Sequence, residues 1–311
     1  MNQNIWILSD GKAGHLSQTR GLATALIKRK GGSIREIDLV EKSFLGKLRA
    51  IWKQRSAVPP DFIIAAGHGT HVPLLLSGCL FKRAKTVVCM NPSFPMRWFD
   101  FCIVPRHDLI SDVLANPPTH IIPTLGALHG VHPSPESPKT FMLMLIGGPS
   151  KEYGWDRTQV IEQLKAVSSV QSAVGSQQSE AKFLLTTSRR TPAGFVDALK
   201  IACPAIDVVP VEETPRGWVA EKLAGAAAVW VTRDSVSMIY ESLGSGAPVG
   251  LLNMPPLLAN KKKKSRVARG IEMLVEEGWV TPFDLWKATG VLQSKGALVE
   301  VDRVADRLLE T

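Results

Sequence analysis

The feature that most constrains this chain is a repeated one: a short apolar run stops at a loop rich in small residues and gives way to a helical pattern. Ile5–Leu8 runs into a glycine loop, and a helical pattern follows over Gln18–Lys30 with Leu22, Ala25 and Leu26 on one face. Ile34–Leu39 alternates as a strand, and Phe62–Ala66, Thr86–Met90 and Phe101–Val104 read as buried strands. The pattern resumes with Phe141–Ile146, ending at Gly147-Gly148-Pro149, a helix over about Arg157–Ser168, and strands at Phe183–Thr187, Ile206–Val209 and Ala227–Thr232. Short apolar runs alternating with helices predict parallel sheets with crossover helices.

The segment Val131–Lys139, VHPSPESPK, carries three prolines and reads as a stiff linker. It divides the 311 residues into 1–138 and 139–311, each a domain of ordinary size. The first part holds 16 Lys and Arg against 9 Asp and Glu, the second 21 against 19, so most of the net charge of +9 lies in the first. An excess of positive charge points to an anionic partner: a nucleotide, a nucleic acid or an acidic membrane surface. Nucleic acid is set aside, because no RRM, KH, helix-turn-helix or zinc signature accompanies the charge. The ten-residue stretch Val72–Phe81 is too short to span a bilayer. The start, MNQNIWILSDGK, has no basic segment before its apolar run and does not read as a secretory signal. Cys79, Cys89, Cys102 and Cys203 form no CxxC or zinc spacing and are expected in a reduced interior, which places the chain in the cytoplasm.

Ligands of parallel α/β sheets bind beyond the carboxyl ends of the strands, so the strand-to-loop junctions carry the candidate chemistry. The first is Ser9–Thr19, SDGKAGHLSQT, where Gly11 and Gly14 permit tight turning and Lys12 and His15 add charge and a titratable group. It is neither a Walker A loop nor a GxGxxG fingerprint. The second is AAGHGTH, where Gly67 and Gly69 flank His68 and His71 follows; no Cys, Asp or Glu nearby completes a zinc set, so no metal is expected. The third is GGPSKEYGW, where Gly147, Gly148 and Lys151 either seat a phosphate or only turn the chain. Arg189 and Arg190 in TTSRR either reach an anion or form a solvated pair. The fourth is TRDSVSMIYESLGSGAP: Asp234 or Ser235 can cap a helix that Gly246 and Pro248 end. Ser235, Val236 and Ser237 form a small-residue helix start suited to a diphosphate, and Glu241 can accept hydrogen bonds from a ribose diol.

SDGKAGH, AAGHGTH, IGGPS and DSVSMIYESLGSGAPVGLL occur in the order used by GT-B glycosyltransferases, and the layout is similar to that of the peptidoglycan lipid-linked N-acetylglucosaminyltransferase. SDGKAGHLSQT, AGHGTH, FDFCIVPRHD, TTSRRTP and VTRDSVSMIYESLGSGAP more specifically resemble the mitochondrial-fission ELM family, whose bacterial members are similar to GT-B transferases and whose plant members are adaptor proteins. That resemblance implies an α/β, GT-B-like fold of two Rossmann-like domains facing a central cleft. Residues 1–138 would form the acceptor side and 139–311 the donor domain, with a last helix, about Ala297–Glu310, returning towards the first. It implies transfer of a sugar from a nucleotide-sugar, UDP-linked, to a hydroxyl acceptor that can be lipid-linked. The nucleotide-sugar is a substrate, with no further cofactor and no bound metal.

On the same resemblance Glu241 would bind the ribose, Ser235–Ser237 the phosphates, and His15 would sit near the acceptor. The base is then His15 or else Asp10, His68 or His71, and Lys151 and Arg189 are candidates for the diphosphate charge. The rival is a GT-B-like adaptor without chemistry. A last expectation concerns Phe44, Leu45, Leu48, Ile51 and Trp52, which recur at helical spacing beside Lys42, Lys47, Arg49, Lys53 and Arg55. Such a helix either faces the core or lies on an anionic membrane, which would make the protein peripheral on the inner membrane face.

Overall fold

A computed structural model describes residues 2–40, 42–56, 58–174, 182–257 and 265–310. The lysine run Lys261–Lys264 lies outside them. The chain divides into two compact units, one of Met1–Gly130 with Val299–Thr311, the other of Val131–Leu298. The division falls before the proline-rich segment, earlier than the 138/139 boundary placed from the sequence. Thr140 N–H and Lys139 Nζ bond to Gly225 and Ala224, so the end of that segment is tied to the second unit.

The first unit runs β1 (Gln3–Ser9), α1 (Ala13–Lys30), β2 (Gly32–Asp38), α2 (Phe44–Trp52), β3 (Phe62–Ala66), α3 (His68–Leu80), β4 (Lys85–Cys89), β5 (Phe101–Pro105), α4 (Ser111–Ala115) and β6 (Ile121–Thr124). Its sheet has the order β2-β1-β3-β4-β5-β6, all pairs parallel. β1 is apolar without alternation because both faces are covered: Ile5 and Ile7 pack with α1, while Trp6 and Leu8 pack with Ile51 and Leu74 of α2 and α3.

The second unit runs β7 (Phe141–Leu145), α5 (Arg157–Val174), β8 (Lys182–Thr186), α6 (Phe195–Ala202), β9 (Ile206–Val209), α7 (Trp218–Gly225), β10 (Ala226–Thr232), α8 (Val236–Gly244), β11 (Val249–Leu252), α9 (Arg266–Glu276), β12 (Thr281–Pro282) and α10 (Phe283–Thr289). Its parallel sheet has the order β12-β11-β10-β7-β8-β9. Trp230 of β10 is fully buried against Phe283 and Trp286, and a Cβ on Gly250 would strike its ring at 2.5 Å.

The closing helix α11 (Glu300–Leu309) belongs to the first unit. Val301, Val304, Ala305 and Leu308 recur at helical spacing and join the core shared with Leu22 and Leu26 of α1. Arg29 of α1 clamps α11 through Asp306 and, at 3.0 Å, Asp302.

α1 begins earlier than the Gln18 start read from the sequence, and α3 follows β3 where the sequence reading placed no helix. Gly14 and His15 lie in the first turn of α1, and His68, Gly69 and His71 in that of α3. Glycine is tolerated there because first-turn N–H groups lack intrahelical partners. Cys79, expected inside, is exposed, whereas Cys89, Cys102 and Cys203 are buried. No helix among the described residues is long and apolar enough to cross a membrane.

Candidate functional site

Each sheet has one point where the strand order reverses, and there two adjacent strands send their loops in opposite directions and leave a crevice. In the first unit this point lies between β1 and β3, in the second between β7 and β10.

At the β1/β3 point, pairing of Leu8 with Ala65 brings the two strand ends level. Asp10 follows β1, and Gly11, at φ +77°, turns the chain into α1. Asp10 accepts Lys12 N–H at 3.2 Å, and its oxygens lie 2.9 and 3.0 Å from Nδ1 of His15. A carboxylate only accepts, so His15 donates through Nδ1, and in the neutral ring the lone pair is then on Nε2. Gly67, at φ +93°, carries the β3 loop against this pair: a Cβ there would lie 2.4 Å from His15 Nδ1 and 2.6 Å from Asp10 Oδ2. Neither N-cap residue, Lys12 of α1 nor Gly67 of α3, makes a side-chain capping bond.

His68 and His71, one turn apart on α3, stand edge to face with ring centroids 5.5 Å apart. His71 is 2% exposed and accepts Ser93 N–H at Nδ1, 3.2 Å away, which leaves its proton on Nε2. Burial, with the neighbouring His68 and His15, pushes its pKa down to about 4, so it is neutral near pH 7. His68 is exposed, with Nδ1 against Ser93 Oγ. Gly69 offers its carbonyl to Lys47 Nζ at 3.0 Å, and Gly14 its own to Gln18. Among the described residues no group of three or more His, Cys, Asp or Glu is arranged to hold a metal ion.

At the β7/β10 point the loop after β7 is held from both sides. Gly147 N–H donates to Thr232 Oγ1 at 2.7 Å, and Thr191 Oγ1 donates to the Gly147 carbonyl at 2.5 Å. Gly148 N–H donates to Asp234 Oδ2 at 3.0 Å, and Arg190 reaches the same oxygen at 2.7 Å. Arg190 also donates to the Gly148 and Pro149 carbonyls. The side chain of Asp234 is 0% exposed, and its Oδ1 is buried with no hydrogen-bond partner among the described residues. Both glycines are required by space: a Cβ on Gly147 would lie 2.2 Å from Asp234 Oδ2, and one on Gly148 2.1 Å from the Arg190 carbonyl.

Asp234 therefore does not cap α8. Its carboxylate is taken by the neighbouring loop and by Arg190, and Ser235, at the N-cap position of α8, makes no side-chain capping bond to the first turn. Ser235 is buried, Val236 half-buried and Ser237 exposed; Glu241 is half-buried one turn beyond Ser237 on the same face. Arg189 and Lys151 are exposed, and it is Arg190 that enters the loop cluster. The sequence pattern missed Thr191, Thr232 and the pairing of Arg190 with Asp234. The serine- and threonine-rich strand ends were the one available signal.

The protein is 27% identical to the uncharacterized protein RP120 of Rickettsia prowazekii, with 88% of each chain covered. Two solved structures resemble it over nearly its whole length at low identity. One is the Staphylococcus aureus MnaA–UDP co-structure, with a TM-score of 0.53, 9% identity, and 99% of this chain and 95% of that one covered. The other is Acinetobacter baumannii MurG, with a TM-score of 0.50, 12% identity, and 99% and 100% covered. These likenesses show the fold, which is α/β and GT-B-like. Residues 13–311 match the family described as Mitochondrial fission ELM1, so the dyad of Asp10 and His15 and the Asp234–Arg190 cluster stand in a chain that belongs to that family.

Proposed function

We propose that this protein transfers a sugar from a nucleotide donor, UDP-linked, to a hydroxyl acceptor. The observation that carries the proposal is the Asp10–His15 dyad at the β1/β3 switch point. Asp10 fixes the tautomer, and Nε2 of His15 accepts the acceptor's proton as its oxygen attacks the anomeric carbon. The bond from that carbon to the diphosphate breaks, and the electron pair leaves with the diphosphate.

In the second unit the first turn of α8, which Ser235 does not cap, and Ser237 suit the diphosphate, and Glu241, one turn on, suits the ribose diol. Basic side chains such as Lys151 and Arg189 and helix N-termini balance the leaving charge, so the mechanism we assign needs no bound metal. The choice of uridine draws on MnaA, whose structure holds UDP. The acceptor we assign is a hydroxyl on a lipid-linked molecule, met at the inner membrane face.

The test is turnover of UDP-sugars by the full chain, with acceptor-linked product, free UDP and isomerised donor separated chromatographically. His15→Ala should lower turnover ~10²–10⁴-fold with donor affinity little changed. UDP binding without turnover by the wild type would instead make the protein an adaptor built on a nucleotide-binding shell.

A further inference from the structure

An apolar groove of about 550 Å³ runs between the C-terminal halves of α2 and α3, lined by Leu48, Ile51 and Trp52 of one and Leu76, Cys79 and Leu80 of the other. The apolar stripe of α2 is divided between two environments. Ile51 is 3% exposed and belongs to the core, whereas Leu45 is 75% and Trp52 51% exposed. Leu76 and Leu80 of α3 are exposed beside them. A single exposed leucine needs no explanation, but a contiguous two-helix apolar surface marks a place of contact.

Basic residues stand at the groove. Arg49 lines it, Lys53 follows Trp52 at the end of α2, and exposed Lys82 and Arg83 follow α3. Residues 42–85 hold eight Lys and Arg against one Asp, a net of +7, equal to that of residues 1–138 as a whole. We infer that this face docks on an anionic phospholipid bilayer. Leu45, Trp52, Leu76 and Leu80 enter the headgroup boundary, and the surrounding Lys and Arg meet the lipid phosphates. Apolar area with an indole at its edge and a basic surround is the combination that holds a helix in the interface plane. Charge complementarity selects an anionic bilayer: the groove is lined by Arg49 and the helices that form it run on into Lys53, Lys82 and Arg83, all exposed, so its edge suits a continuous sheet of phosphates. The inference does not need the sugar-transfer reading, since vesicle binding is measured without turnover.

The test uses the full chain with phosphatidylglycerol and, separately, phosphatidylcholine vesicles at about 0.02 M and 0.5 M salt, between which the screening length shortens severalfold. Co-sedimentation with phosphatidylglycerol at low salt, release at high salt and absence from phosphatidylcholine are expected. Lys53→Glu with Arg83→Glu, both at exposed positions, should weaken binding ~10-fold or more. Trp52→Ala with Leu80→Glu should do the same. Cys79 is the exposed cysteine, while burial pushes the Cys89 and Cys102 thiols up to about 12. An environment-sensitive thiol dye therefore reports on the groove itself, and its emission should shift to the blue on vesicles. Wild type remaining in the supernatant at low salt, or charge variants binding as well as wild type, overturns the inference. So does a solution dimer that Trp52→Ala with Leu80→Glu makes monomeric, since a second copy then fills the groove.

Discussion

Replacing Gly147 with alanine should loosen the β7/β10 end of the second unit. The new Cβ lies 2.2 Å from Oδ2 and 2.4 Å from Oδ1 of Asp234, closer than any carbon–oxygen contact allows. The backbone has little room to retreat, being held by Thr232 at 2.7 Å on one side and Thr191 at 2.5 Å on the other. Asp234 must therefore swing away and release both Gly148 N–H and Arg190. A hydrogen bond to a charged group contributes ~1.5–3 kcal/mol. The ion pair adds less than the ~3–5 kcal/mol of a fully buried one, because the Arg190 side chain is 42% exposed. Together they come to ~2–4 kcal/mol of local stability, or ~30- to 700-fold in an opening equilibrium. Hydrogen exchange read by mass spectrometry on peptides covering 141–149 and 226–235 measures that opening without requiring the whole chain to unfold in one step. Asp234→Ala removes the atoms that clash. The double variant should then exchange no faster than Asp234→Ala alone, a coupling equal to the Gly147→Ala effect itself, ~2–4 kcal/mol, as expected for residues in contact. A Gly147→Ala protein that exchanges like wild type, or single effects that simply add, would refute the packing of the carboxylate against this loop.

Asp10→Asn should lower turnover ~10²-fold or more with little change in donor affinity, because the amide no longer enforces the tautomer that frees Nε2; a normal rate would leave Asp10 a turn residue. Glu241→Ala should weaken UDP binding by ~1–3 kcal/mol through lost ribose hydrogen bonds, and calorimetry giving equal affinities would remove it from the site. His71 titrates near 4 in the folded chain against 6.5 for an unperturbed histidine, so the unfolded chain binds the extra proton first. Its contribution to stability is present above pH 6.5 and lost as the pH falls towards 4. Thermal unfolding of His71→Phe should decline less steeply over that window than wild type, and parallel declines would contradict the neutral, buried assignment.

Phe62–Ala66 was legible because a strand buried on both faces is a continuous apolar run, and it was found with its observed bounds; so was the edge strand Ile206–Val209, which is only partly buried. The strands missed are those whose sequence carries a contrary local signal. β6 contains Pro123 at the sheet edge, β11 contains a glycine that Trp230 requires, and β12 is two residues long. The start of α1, and α3 altogether, were missed for a related reason. Glycine and histidine read as loop residues, yet a helix's first turn asks little of intrinsic propensity when the sheet fixes its direction.

The site was legible as parts and not as contacts. Asp10, His15 and Gly67 were each visible, but only the β1–β3 pairing places a loop 57 residues further on against the dyad. Asp234 looked like a cap because a linear reading sees only near neighbours, and its real partners, Gly148 and Arg190, arrive on other strands of the sheet. Once assembled, the two switch points are alike in plan. In each, a glycine without room for a Cβ brings a loop against a carboxylate, Gly67 on Asp10 and Gly147 on Asp234. They differ in the partner: the Asp10 carboxylate faces Nδ1 of an imidazole, the Asp234 carboxylate a guanidinium. The same backbone device thus seats one carboxylate against a histidine and the other against an arginine. Under the proposed transfer the first would take up the acceptor's proton, while the second orders the loop beside the start of α8.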